Sequence, residues 1–585
     1  MNVHPLARSI IRSLPRFVVR GALVRGALVG VAAVAPLSAG AAHSRHALPA
    51  ADALRLVPDE HAPSLTRVST ASLQRGAGTK TTKPRPATRT KEAATSPRRK
   101  RTTTRARSSR RKATVPVRPV LHHTTPRGEH ALAADLATLL AARVRSGEWG
   151  VIVSSVTRGD TLFSHNADAL MLPASTLKLY TAALAFEKLG PNHQFETSIF
   201  RTGPVNRDGT LEGSLVIRGG GDPALSGRFV GGSPDGPMRT LARIVADAGI
   251  KRITGDVIGD ASAFDGKRIP DGWLARYIND SYAARVSALS LNENLLHVVV
   301  TPGKSGAKAS VTLRPATVAY PVVNQTRTSG AGRTAKVTVS RTSDGTVVVR
   351  GSIGARSEPR VYVVVVEDPA LFATGAFKQA EESEGVKVDG SLRLSPTPVG
   401  AVRIGGLASP PLWSLASAMN RESINHFAEL LFRNASRASD PVAVGSAERG
   451  NLQLRDFMTR KVGALPGAVS AADGSGLSSL NRITPRSLVQ LLGYAHHAPW
   501  GREFHQSLPV AGESELLRHR MKSTPAQGNL HAKTGTTNDV IALGGYVTSQ
   551  GGELLAFSFL YNGRDRWNAK ETIDAMGATL AGFGR

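Results

Sequence analysis

Apolar positions along the chain change period several times, and each change predicts an element. Residues 131–144 repeat at helical spacing, and residues 149–156 and 160–164 then read as two strands around Thr157-Arg158-Gly159. An Ala-rich apolar helix follows from Ser175 through Leu179, Ala182, Ala183, Phe186 and Leu189, stopped by Gly190-Pro191. From about 197 to 407 short alternating runs recur between Gly, Asp, Asn and Pro turns, at 213–218, 252–259, 295–301, 309–313, 347–353 and 360–366. Helices are predicted within that region at 238–248 and 370–384. Beyond it, 412–434 predicts one continuous helix, and 451–464 and 484–495 predict two more. Two strands at 541–548 and 553–561, turning at Gln550-Gly551-Gly552, precede a last helix at 567–582.

The first 128 residues have none of this texture. Arg8, Arg12, Arg16, Arg20 and Arg25 lead into a run of small apolar residues ending at Ala39-Gly40-Ala41, the order of a cleavable export signal over residues 1–42. The alternative is a retained anchor, but about 17 weakly apolar residues containing a proline are short for a span. Residues 43–128 predict a disordered basic linker, because few large apolar side chains are present to offset chain entropy. Between Arg75 and Arg118 stand sixteen Lys and Arg against one acid, so about half of the formal net charge of +30 sits in one tract. No aromatic residue interleaves there to stack on bases, so nucleic acid is not the expected partner. The expected role is a solvated spacer, or weak adhesion to anionic wall polymers or lipid head groups. The chain has no cysteine, which excludes disulfides and thiolate chemistry.

Candidate chemistry begins at the start of the Ala-rich helix. Three-residue spacing places Lys178 over Ser175 on one helix face. A serine hydroxyl needs a base, and a desolvated neutral lysine serves as one. Lys178 must then lose roughly 3 pKa units from about 10.4, a differential cost of about 4 kcal/mol. Ser-x-x-Lys also occurs at Ser109 and Ser305, outside any apolar helical pattern, so the spacing alone is not specific. Farther on come Ser423-Ile424-Asn425, the loop Asp473-Gly474-Ser475-Gly476-Leu477-Ser478, and His531-Ala532-Lys533-Thr534-Gly535-Thr536. No His, Asp and Glu spacing predicts a metal site, and no cofactor is expected. His426 and His531 have no evident serine and acid partners and read as bystanders.

The ordered triple Ser175-x-x-Lys178, Ser423-x-Asn425 and Lys533-Thr534-Gly535 resembles the signature of penicillin-binding proteins and serine β-lactamases. Four further features make the resemblance closer. They are the long insertion between the first two motifs, the Gly219-Gly220-Gly221-Asp222-Pro223 turn, the stretch from Ser287 to Asn294, and Asp473-Gly-Ser-Gly-Leu. Together these resemble the D-alanyl-D-alanine carboxypeptidase/endopeptidase family of class C low-molecular-mass penicillin-binding proteins, peptidase family S13, over about residues 130–585. Ile424 stands where many relatives carry Asp.

The resemblance implies an α/β fold with a β-lactamase/transpeptidase-like core, an antiparallel sheet with flanking helices plus an all-α part, and inserted β-rich domains. The expected division is core at 129–199, insertion at 200–407, and core again at 408–585. It implies Ser175 as nucleophile, Lys178 as base, and Ser423 as proton relay to the leaving amine. Asn425, Lys533, Thr534, Gly535 and Thr536 become substrate-binding residues, with the backbone N–H groups of Ser175 and Thr536 as oxyanion donors. The implied activity is that of a secreted serine D-Ala-D-Ala carboxypeptidase or endopeptidase acting on peptidoglycan peptides, with β-lactams as covalent inhibitors. A β-lactamase or esterase of the same superfamily and a catalytically idle wall-binding protein are the alternatives. Asp260 and Asp265, ahead of Trp273, are candidates for recognising a charged peptide side chain.

Overall fold

Two strands with almost no polar alternation, Val540–Thr548 and Leu554–Asn562, form the centre of the molecule because both of their faces are covered. The computed structural model describes residues 121–342, 344–440 and 442–585. The expected export signal and nearly all of the basic linker lie outside the described residues.

The central sheet has five antiparallel strands in the order His531–Thr536, Val540–Thr548, Leu554–Asn562, Glu148–Ser155, Thr161–His165. Successive residues point to opposite faces, so Val151, Val153, Leu543 and Phe557 pack under the helices Glu129–Ala142 and Arg566–Gly582. Ile152, Ala542, Ala556 and Leu560 face the opposite layer, which contains the helices Leu177–Leu189 and Pro485–His497. The result is a three-layer α/β arrangement, with the strand carrying Lys533 at one edge of the sheet.

A mixed five-stranded sheet begins the inserted region. Its strand Glu196–Arg201 pairs antiparallel with Val402–Ala408, so the region's two ends lie side by side. Leu215–Gly219, Val257–Asp260 and Leu392–Leu394 complete the sheet, and the helices Gly236–Asp247 and Pro369–Ser383 share its core. The run predicted as one strand at 252–259 is two, Arg252–Ile253 and Val257–Asp260, in separate sheets. Three-stranded sheets fill out the rest of the insertion.

One expected helix is also two. Leu412–Glu422 ends at Ser423, which takes a left-handed conformation (φ 61°), and Asn425–Ser436 starts after an extended Ile424. The apolar period runs on across this break, which is why a single helix was predicted. Asn425–Ser436 lies against the helix Leu177–Leu189 and also takes contacts from the insertion, including Asn434 Nδ2 donating to the Gly221 carbonyl.

Candidate active site

Ser175 lies in a short 3-10 turn, Ala174–Thr176, directly ahead of the helix Leu177–Leu189. Ala174 holds a positive φ of 45°, an unfavourable conformation for a residue with a Cβ. Two glycines make it possible. A Cβ on Gly476 would lie 1.9 Å from the Ala174 carbonyl oxygen, and one on Gly535 would lie 2.8 Å from that of Pro173. Backbone on both sides therefore closes directly on the serine's turn.

Lys178 follows one helical turn later and is fully buried. Its Nζ is 3.0 Å from Ser175 Oγ, and it donates to Asn425 Oδ1 at 2.6 Å and to the Ser475 carbonyl at 2.7 Å. Two of these partners are pure acceptors. A neutral amine has two N–H groups and one lone pair, so satisfying both acceptors leaves the lone pair for the Ser175 hydroxyl. Burial pushes the Lys178 amine down to about 7, against the opposing pull of Asp473 and Glu429.

The second motif approaches from the helix break. The left-handed turn at Ser423 brings its Oγ to Lys533 Nζ, which donates to it at 2.9 Å and to the Thr534 carbonyl at 2.9 Å. Asn425 opens the next helix, and its Nδ2 donates to the Tyr282 carbonyl of the insertion at 2.8 Å. Lys533 is buried as completely as Lys178, and both its burial and the neighbouring lysine's charge hold its amine well below the ordinary range. On its edge strand, Ala532 N–H points outward to the Pro509 carbonyl. Period-two alternation turns the Thr534 carbonyl and the Thr536 N–H to that same edge, beside the serine. Thr536 itself is exposed.

The structure thus holds Ser175, Lys178 and Asn425 in one hydrogen-bonded group and Ser423 and Lys533 in a second, with Thr534, Gly535 and Thr536 on the strand of Lys533. It does not gather every residue singled out in the sequence. Asp260 accepts from Ser262 and Thr397, and Asp265 faces Arg433 at 3.7 Å. Trp273 instead donates its indole N–H to Asp473 at 2.8 Å. The two acids therefore support the insertion's own backbone and a buried arginine. His426 is buried against Ser290 and Asn294, and burial pushes its imidazole down to about 3, so it is neutral. Ser305 and Lys308 are exposed in a turn.

Three contributors were not assigned from the sequence: the Ser475 carbonyl, the Tyr282 carbonyl and Glu429. Backbone groups leave no trace in residue identity. Glu429 does leave one, as an acid in an apolar helical run four residues after Asn425, on the same face. Among the described residues, no group of three or more His, Asp and Glu side chains could hold a metal ion.

A family model described as D-Ala-D-Ala carboxypeptidase 3 (S13) matches residues 132–582. The chain is 32% identical over 449 residues to a D-alanyl-D-alanine carboxypeptidase of Actinomadura sp. (strain R39), covering 74% of this chain and 81% of that one. It is 26% identical over 418 residues to D-alanyl-D-alanine carboxypeptidase DacB of Haemophilus influenzae, covering 71% and 85%. The crystal structure of penicillin binding protein 4 (dacB) from Haemophilus influenzae superimposes with a TM-score of 0.64 at 24% identity, covering 76% of this chain and 98% of that one.

Proposed function

The chain belongs to the D-Ala-D-Ala carboxypeptidase 3 (S13) family, a family of serine peptidases, and from that premise we propose that it cleaves peptidoglycan peptides through an acyl-enzyme on Ser175. The bond broken is the peptide bond before a terminal D-alanine, or before the D-centre of a cross-link. The observation that carries the reading is the contact between the buried Lys178 Nζ and Ser175 Oγ, with the amine's other two positions taken by acceptors.

Lys178 takes the Ser175 proton as Oγ attacks the carbonyl carbon. The oxyanion that forms is met by the Ser175 and Thr536 N–H groups, one such donor being worth about 2.7–4 kcal/mol to a transition state. As the carbon–nitrogen bond breaks, the departing amine takes the Ser423 hydroxyl proton, and the proton that Lys178 accepted from Ser175 replaces it on Ser423, leaving Lys178 neutral. Water then attacks the ester, Lys178 accepting its proton and returning it to Ser175 Oγ as the ester bond breaks. The substrate carboxylate belongs beside Lys533, Thr534 and Thr536. A carboxylate there favours the charged form of Lys533 that burial disfavours. A charged Lys533 in turn favours neutral Lys178, so substrate arrival readies the base. Gly535 lets the substrate backbone lie against the edge strand.

A β-lactam presents a strained amide to the same serine, and its acyl product is the inhibited state. The solved penicillin binding protein 4 of Haemophilus influenzae has also been captured complexed with a β-lactam, which supports this reading. The export-signal pattern of residues 1–42 supports action outside the cytoplasmic membrane, with the basic linker adhering weakly to anionic wall polymers or head groups.

The test is the intact mass of the full-length protein after incubation with benzylpenicillin, beside a Ser175→Ala control. One adduct, absent from the control, is the expected result. No adduct with intact antibiotic would overturn the reading in favour of an idle wall-binding protein. Rapid antibiotic hydrolysis without an adduct would turn it into a β-lactamase.

A further inference from the structure

Behind the base lies a layer of buried charge that the reaction above leaves unused. Glu429 is on the Asn425 helix, one turn on, and its side chain is fully buried. Its Oε1 accepts the N–H groups of Gly474 at 3.1 Å and Ser475 at 3.0 Å, while Oε2 accepts from Arg433 Nη1 at 2.8 Å. Asp473 holds the other side of the same loop. Its Oδ1 accepts from Gly476 N and Asn481 Nδ2, each at 2.8 Å, and its Oδ2 from Ser478 N at 2.7 Å and the Trp273 indole at 2.8 Å. The loop is thus suspended between two buried carboxylates. What it presents to the centre of the site is the Ser475 carbonyl that accepts from Lys178.

We propose that Glu429 is a positioning residue for Lys178: it pins the Gly474 and Ser475 peptides so that the Ser475 carbonyl aims the amine at Ser175, and its negative charge offsets part of the cost of placing that amine in a dry site. The inference rests on the reading of Lys178 as the base. The titratable groups facing Lys178 are Glu429 from its helix, Asp473 from the loop and Lys533 from the edge strand. Arg433 stands behind Glu429, and Asp265 of the insertion lies beyond Arg433. Glu429 and Asp473 both pull the Lys178 amine upward against burial. Removing the Glu429 charge therefore lowers the pH at which the amine becomes free.

The experiment is the rate of benzylpenicillin acylation against pH for the full-length protein, Glu429→Gln, and Glu429→Gln/Arg433→Gln, with thermal melts to establish folding. A glutamine oxygen still accepts from the two loop N–H groups, so the loop keeps its anchor and loses the charge. The double variant leaves no buried partner unpaired within the couple, and it decides the matter where the single variant does not fold. The expected result is a rate midpoint about one pH unit lower than wild type, which is about tenfold more free amine on the acid side. A midpoint unmoved in a folded variant overturns the inference, because a merely structural Glu429 would change the melt or the plateau alone. Absence of acylation in the wild type overturns the acyl-enzyme reading, and this inference with it.

Discussion

Adding one methyl group at Gly476 tests how tightly Ser175 is held. The glycine has φ +85°, and a Cβ there lies 1.9 Å from the Ala174 oxygen and 3.1 Å from the Ser175 nitrogen. Close carbon–oxygen contacts settle near about 3.3 Å, so roughly 1.4 Å must open between the loop and the serine's turn. Left-handed backbone alone costs an alanine about 1–2 kcal/mol. Neither side yields readily. Ala174 already holds a positive φ and is backed by Gly535, and the loop is tied to Asp473 and Glu429. The opening falls between the residue that precedes Ser175 and the one that follows the Ser475 carbonyl, so it separates Ser175 from Lys178. A misplacement of about 1 Å costs on the order of 100-fold in rate, or about 2.7 kcal/mol in barrier. Gly476→Ala is therefore expected to acylate with benzylpenicillin at least about 100-fold more slowly, read by timed intact mass on protein that keeps its far-ultraviolet circular dichroism. A folded Gly476→Ala within about threefold of wild type, under about 1 kcal/mol in barrier, would refute the argument that this contact sets the serine's position.

Two further outcomes follow from the base. Lys178→Ala is expected to show no adduct by mass while its melt still reports a cooperative fold, and unchanged acylation in the folded variant would remove Lys178 from the mechanism. The wild-type acylation rate is expected to rise with pH through about 7, where burial places the Lys178 amine. The amine is charged and unable to accept a proton below that point and free above it, so a rate profile flat across that region would contradict the assignment.

Much of the site was legible because its chemistry is carried by side chains at fixed local spacing. Ser175 and Lys178 sit three apart on a helix, and Lys533-Thr534-Gly535 lies on one strand. Their assembly was not legible by spacing, since Lys178 meets Asn425 across 247 residues and Ser475 across 297. Only the ordered motifs pointed to it. The break at Ser423 was hidden because no glycine or proline marks it and apolar residues continue on both sides. The strands Val322–Ser329 and Ala335–Arg341 were missed because they are rich in polar side chains and largely solvent-facing, so they lack the apolar runs that signal a strand. Within the insertion the sequence pointed to Asp260 and Asp265, which accept from Ser262 and Thr397 and face Arg433 respectively. The groups that reach the site, the Trp273 indole and the Tyr282 carbonyl, are a ring nitrogen and a backbone oxygen.

The distances along the chain between Lys178 and its partners also order events in time. Synthesis delivers Ser175 and Lys178 first, Asn425 next, then Ser475, and Lys533 after all of them. Until the later segments arrive, the lysine is in water, where its amine titrates near about 10.4 and stays charged. With Lys178 as the proposed base, a serine beside the charged amine lacks that base, so the proposed nucleophile emerges in an inert form. Contacts of such long range form late in folding. On the reading of Lys178 as base, hydrolytic power waits until the later segments bury that amine.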